Sequence, residues 1–258
     1  MSAAAAETDR KLRRDGSLDT FLTVGRRPRP SRASGDGVPV RHGNNRGLVR
    51  LCLDDTSTSE VGCAVKIAVL GAGHVGPVIA RLALAAGYPV AIAGSGDPSR
   101  IEMIIEFLAP GAKPLTASDA VADAGLVVLA IPWHRFGTLE PGMFAGKVVV
   151  DAMNHWPPAS APLGTSEEVA RRLAGARVVK SLNHVAYQDM EPANGRAVGL
   201  AGDDPAAVDL VASFLERIGF DPVPVGPLAA GRLLEPGSPL FGVAAARPEI
   251  EKLAKEQS

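Results

Sequence analysis

At 258 residues, with 46% hydrophobic and 4% aromatic residues, the chain can bury a sizeable core filled by aliphatic side chains and alanine. Its formal net charge of -1 gives no general attraction for nucleic acid or for a membrane surface, and neither is expected as a partner. No apolar run approaches the ~20 residues that span a bilayer, and a cytoplasmic location is expected.

Residues 1–64 differ from the rest of the chain. They carry eleven Lys/Arg against eight Asp/Glu, with Arg-rich and Pro/Gly/Ser-rich stretches between short apolar patches. Such composition cannot bury enough surface to offset chain entropy, so this extension is expected to be disordered. Arg26-Arg27 lacks the following apolar region of an export signal. Cys52 and Cys63 have neither the number nor the spacing of a disulfide framework or a metal site. Val65-Lys66-Ile67 opens the first strand, and a valine codon can serve as a bacterial start. The native chain is therefore expected to begin near Val65, a point that N-terminal analysis of the native protein decides.

From Val65 the pattern alternates strand and helix. Lys66–Leu70 reads as a buried strand, and Val75, Val78, Ile79, Leu82 and Ala86 recur at helical spacing up to Gly87. Val90–Ala93 is a strand, Ser99–Leu108 a helix, Lys113–Leu115 a weak strand and Ala117–Ala124 a short helix. Leu126–Ile131, Lys147–Asp151 and Arg177–Leu182 are strands, with a helix at Ser166–Leu173 between the last two, opened by Ser166. Ala197–Ala201 comes next, then a helix capped by Asp204 and ended by Gly219. Asp221–Val225 is a final strand, 233–242 a loop or short helix, and Pro248–Glu256 a charged terminal helix. Apolar strands with short connections indicate an α/β fold of Rossmann type, a doubly wound, mainly parallel sheet with a small C-terminal α/β extension. The expected division is 65–202 for the dinucleotide-binding domain and 203–258 for a region completing the substrate cleft.

Gly71, Gly73 and Gly76 form G-x-G-x-x-G directly between a strand and a helix. In that context the motif predicts a dinucleotide diphosphate at the helix N-terminus. An acidic residue at the end of the second strand would hold a free ribose 2′-hydroxyl. Here Gly94 and Ser95 stand in that place, with Ser99 and Arg100 nearby, which predicts NADP. Asp97 lies two residues beyond Ser95, where Asp97-Pro98 also suits the start of the next helix.

Four of the five histidines fall at the carboxyl ends of predicted strands: His74, His134, His155 and His184. Trp133 and Trp156 share that rim. No Glu-x-x-His or His-x-x-x-His pair supports a metal site, and none is expected. No G-x-S-x-G occurs to suggest a hydrolase. The rim reads as a pocket over the nicotinamide for a flat second substrate, or as loop residues without a chemical role.

The loop Gly71–Gly76, the segment Ile131-Pro132-Trp133, Ala201-Gly-Asp-Asp204 and Gly226-Pro-Leu-Ala-Ala-Gly-Arg-Leu-Leu-Glu235 together resemble the F420-dependent NADP reductase family. The resemblance runs from about Val65 to Gly242. Asp151-Ala-Met-Asn-His-Trp-Pro-Pro158 and Lys180-Ser-Leu-Asn-His-Val185 look like an actinobacterial-type branch. It implies hydride exchange between NADPH and the deazaflavin coenzyme F420. It implies NADP phosphate contacts at Gly71, Gly73, His74 and Val75, and a 2′-phosphate serine at Ser95. The family usually has Arg next, where this chain has Gly96, and Arg100 is the candidate to compensate. Ile131, Pro132 and Trp133 match the segment beside the nicotinamide, and Asn183 and His184 the segment lining the deazaflavin side. Ala72, Gly76, Ala130 and Asn154 complete the expected cofactor contacts. His184, Asn183, His134 and Arg232 are the candidates for orienting a small-molecule acceptor, none as an obligatory proton donor. A homodimer is compatible with the fold. Two other functions fit the same loop: NADPH-dependent reduction of an imine, flavin or ferric complex, and NADP binding by a redox sensor without turnover.

Overall fold

The computed structural model describes residues 65–156 and 164–256. The expectations for residues 1–64, including Cys52 and Cys63, lie outside the described residues.

Eight strands form one sheet: β1 (Ile67–Leu70), β2 (Val90–Ala93), β3 (Lys113–Pro114), β4 (Leu126–Leu129), β5 (Val148–Asp151), β6 (Arg177–Ser181), β7 (Ala197–Gly202) and β8 (Asp221–Gly226). Their order is β3-β2-β1-β4-β5-β6-β7-β8. The first six run parallel, and β7 lies antiparallel to β6 while β8 is parallel to β7. Every residue of β1, β4 and β5 is buried, as a parallel sheet covered on both faces requires. The edges are short or proline-bearing: β3 has two residues, and β8 carries Pro222 and Pro224. The chain thus forms an α/β doubly wound sheet of Rossmann type. Among the described residues no helix is long and apolar enough to cross a membrane.

Helices α1 (Val75–Ala85) and α6 (Pro205–Arg217) cover one face, where Ile79, Leu82, Val211 and Phe214 meet Ile67, Val69, Val128 and Val150. Helices α3 (Ala117–Ala122) and α5 (Thr165–Arg172) cover the other with Val121, Val169 and Leu173, joined by Phe136 and Phe144. The helix α2 (Ser99–Leu108) buries only Ile105, and α7 (Arg247–Glu256) packs Ile250 and Ala254 beside β8. A single turn, α4 (Trp133–Phe136), comes after β4.

Element ends differ from the sequence expectation where a side chain finds another partner. The helix predicted from Ser166 starts at Thr165, and Glu167 Oε2 accepts from Gly164 N at 3.1 Å. Ser166 therefore does not cap it. Its hydroxyl turns inward and donates to Asp151 Oδ2 at 2.6 Å. Asp204 caps α6 as expected, accepting from Ala207 N at 2.8 Å.

Candidate functional site

The order β3-β2-β1-β4 reverses direction at β1, and the crevice outside the carboxyl ends of β1 and β4 is where such sheets bind ligands. A cleft of about 680 Å³ opens there, within the size range of small-molecule sites.

The three glycines have three different environments. Gly71 has φ +128°, and a Cβ on it would stand 2.2 Å from Ala130 O. A Cβ on Gly76 would stand 1.8 Å from Gly71 O, so helix and turn touch through the missing side chain. At Gly73 no protein atom lies within 4 Å of that position. Its open side belongs to the cleft wall. The first turn of α1 holds no acidic residue, and no side chain caps His74 at its start. The leading N–H groups therefore keep their capacity for an anion. A diphosphate fits this turn by shape and by charge.

At the end of β2, Gly94 and the exposed Ser95 line the cleft beside Ile101. Asp97 is committed elsewhere: its Oδ1 accepts from Ser99 N at 2.9 Å at the start of α2, and that hydrogen bond lowers its carboxyl pKa. No carboxylate lines the cleft among the described residues. The second strand thus ends without the acid that would repel a 2′-phosphate.

Of the sequence-predicted cofactor residues, Gly71, Ala72, Gly73, His74 and Val75 line this cleft, as do Ser95, Ala130, Ile131, Pro132 and Asn154. Gly76 lies buried under the turn. Arg100 is exposed on α2 and is not part of the cleft wall. Trp133 also stands outside it, with its ring 5.6 Å from Phe136 and 5.5 Å from His155. His134 is exposed on α4 and lines no part of the cleft. Arg232 is exposed and paired to Glu167 Oε2 at 2.7 Å, which ties the 3-10 turn Leu228–Leu234 to α5. Asn183 and His184 are buried and line a smaller adjoining cavity.

Three features escaped the sequence reading. Arg135 and Thr138 line the cleft from the segment after β4. Tyr187 lines both cavities, and its ring stacks on His74 at 4.9 Å and 16°. The stack holds the loop after β6 against the glycine turn.

The third is a buried ionic network beneath the cleft. Lys180 and Asp151 are fully buried and meet at 3.1 Å. Lys180 Nζ also donates to Met153 O at 2.7 Å and Thr165 Oγ1 at 2.8 Å. Thr165 Oγ1 donates to Glu235 Oε1 at 2.7 Å. Asp151 Oδ1 accepts from Met153 N at 3.0 Å. A charge removed from water must be paired and hydrogen-bonded, and here each partner is. The network fixes Ala152 to Asn154, which line the cleft. A lysine directly after Val178-Val179 in a predicted strand was the available signal.

Similarities to known proteins fall on the same region. Residues 66–155 match the family described as NADP oxidoreductase, coenzyme F420-dependent. The chain is 28% identical over 196 residues to the metalloreductase STEAP3 of Rattus norvegicus, covering 72% of this chain and 39% of that protein. It therefore spans about two fifths of the curated relative it matches. A crystal structure of a hypothetical protein from Sinorhizobium meliloti superposes with TM-score 0.61 at 27% identity, over 70% of this chain and 95% of that one. Another, of a candidate F420-dependent NADP reductase from Arthrobacter sp. FB24, gives 0.58 at 27% identity, over 66% and 88%.

Proposed function

We propose that the chain, whose residues 66–155 match the family described as NADP oxidoreductase, coenzyme F420-dependent, transfers a hydride between NADPH and a deazaflavin of the F420 type. The observation that carries the reading is the open flank of Gly73 at the mouth of the cleft, where its two companion glycines are closed in by backbone.

On this reading the amides from Gly71 to Val75 and the start of α1 hold the diphosphate. Gly94 and Ser95 receive the adenosine ribose and its phosphate, with Arg100, outside the cleft wall on α2, as a cation available to the phosphate. The apolar walls of Ile131, Pro132, Ala152 and Met153 keep water from the reacting ring. Bound NADPH supplies the hydride, so the protein contributes position and a dry cleft rather than acid–base chemistry. Asn154 and the stacked pair His74 and Tyr187 bound the space where an acceptor meets that ring.

The test is spectrophotometric. NADPH, protein and oxidised F420 together should bleach the deazaflavin absorbance, and NADH should do so at least tenfold more slowly, since a lost phosphate contact of about 1.4 kcal/mol is a factor of ten. Absence of bleaching with either nucleotide would remove the deazaflavin from the reading. The similarity to a metalloreductase favours a second reading, NADPH-dependent reduction of a ferric complex. NADPH oxidation by ferric citrate with no response to F420 would select it.

A further inference from the structure

Among the described residues that line the cleft, Arg135 alone carries a permanent charge. Its place on α4 is fixed by its neighbours. Phe136 beside it is buried. Arg172 Nη2 donates to Gly137 O at 2.6 Å, and the Arg172 guanidinium lies 5.7 Å from the centre of the Phe136 ring. Thr138 Oγ1 donates to Arg135 O at 2.7 Å. The guanidinium of Arg135 itself has no hydrogen bond or ion pair among the described residues. Arg81, Arg172, Arg232 and Arg247, by contrast, each give theirs to protein oxygens.

The sheet sets that guanidinium opposite the end of β2. Strands β2 and β4 flank β1, and Leu70 is level with both Ala93 and Leu129. The segments after β2 and β4 therefore leave the sheet on either side of the glycine turn. With neighbouring strands about 4.8 Å apart, these two strands end about 10 Å from one another. Ser95 stands on one side, and Arg135 with Thr138 on the other. An extended arginine and a phosphate together span such a gap. The anions of a dinucleotide divide between these groups. The diphosphate has the amides of the turn and the start of α1. A ribose phosphate at the end of β2 has the Ser95 hydroxyl, while Gly96 offers it no side chain and Arg100 stands outside the cleft wall. A guanidinium presents a planar fork of donors that matches a phosphate, and such charge-assisted hydrogen bonds are the strong ones.

We propose that Arg135 reads the 2′-phosphate of NADPH, holding it against Ser95 from the far side of the glycine turn. The inference rests on the cleft being the NADPH site, and it names the residue that makes this site prefer the phosphorylated nucleotide. The preference comes from a turn after β4, not from the residues that follow β2. Because Arg172 and Phe136 already hold α4, only the Arg135 side chain has to order when the nucleotide binds, which keeps the entropy cost of the contact small.

The experiment titrates the full chain with NADPH and NADH by nucleotide fluorescence, and with 2′,5′-ADP and 5′-AMP by calorimetry. The last two differ only in the ribose phosphate and carry neither the diphosphate bridge nor the nicotinamide. Wild-type protein should prefer NADPH to NADH, and 2′,5′-ADP to 5′-AMP, by at least about tenfold each. Arg135→Met should cut both preferences to about threefold or less. It should leave NADH affinity and melting temperature near wild type, because the side chain is exposed. Arg135→Glu should lower both preferences further, since a carboxylate repels the phosphate. Arg100→Ala should cost NADPH less than Arg135→Met does. Three results would each overturn the inference and leave the dinucleotide site standing: a wild type without the preference, equal losses of NADPH and NADH in Arg135→Met, or a larger loss of preference in Arg100→Ala. Wild-type protein that binds neither dinucleotide would instead overturn the cofactor reading, and this contact with it.

Discussion

The two walls of the cleft are built on opposite principles. The wall after β1 and β2 meets its ligand with main chain: glycines, a helix start and one serine. The wall after β5 and β6 is held by the buried side chains of Asp151, Thr165, Ser166 and Lys180, joined by the half-buried Glu235. The first needs small residues at fixed local spacing. The second needs polar and charged groups brought together across hydrogen bonds that span up to 70 residues. Recognition on one side therefore tolerates little change in backbone shape, while the other tolerates little change in charge.

The sharpest way to break this contrast is to remove one charge. Lys180→Met leaves Asp151 buried and unpaired, and should lower unfolding free energy by about 3–5 kcal/mol in urea denaturation. Replacing both partners, Asp151→Leu with Lys180→Met, should recover much of that loss. A double variant as unstable as the single one would show that the pair contributes more than mutual compensation.

Acid tests the same wall. The imidazole of His184 is protonated near pH 6.5 when unfolded but only near pH 4 when folded. Between these values the unfolded chain binds the extra proton. Stability from this group is full above pH 6.5 and falls as pH drops toward 4, by on the order of 3 kcal/mol. Urea midpoints at pH 7 and 4.5 measure it, and His184→Gln should flatten the decline. A variant with the same acid limb as wild type would assign that limb to other groups.

On the opposite wall the effects should appear in binding rather than folding. Gly73→Val should weaken NADPH by at least about a hundredfold in fluorescence titration, since a side chain would occupy the diphosphate's approach. Its melting temperature should stay near wild type, because the added Cβ meets nothing. Loss of folding with retained affinity in the survivors would invert the assignment. The smallest effect belongs to Ser95→Asp, a carboxylate at the end of β2. It should shift preference toward NADH by about tenfold, and an unchanged ratio would move the ribose elsewhere.

The difference between the walls also explains what could be read from residues alone. The glycine turn, the apolar strands and the missing acid after Ala93 are local patterns, and each predicts a local structure. The strand end at Ala93, the helix ends at Ser99 and Leu108, and the Asp204 cap come directly from such patterns. Arg135 and Tyr187 carry no such signature, because one turn after β4 and one loop after β6 bring them to the cleft. Arg232 reads as a free cation in the sequence, yet Glu167 takes it up from a helix 65 residues away. Lys180 follows Val178 and Val179 in β6, but neither its burial nor its partners could be named without the sheet.

One consequence lies in the reversal at β7. A parallel connection would have carried the chain from β6 over the sheet through a crossover. Instead it turns back at the same rim, and residues 182–196 hang between two adjacent strand ends. Insertions or deletions in that hairpin leave the hydrogen-bonded ladder untouched. The loop that borders the cleft through Tyr187 can therefore change in length without disturbing the strands that carry the glycine turn.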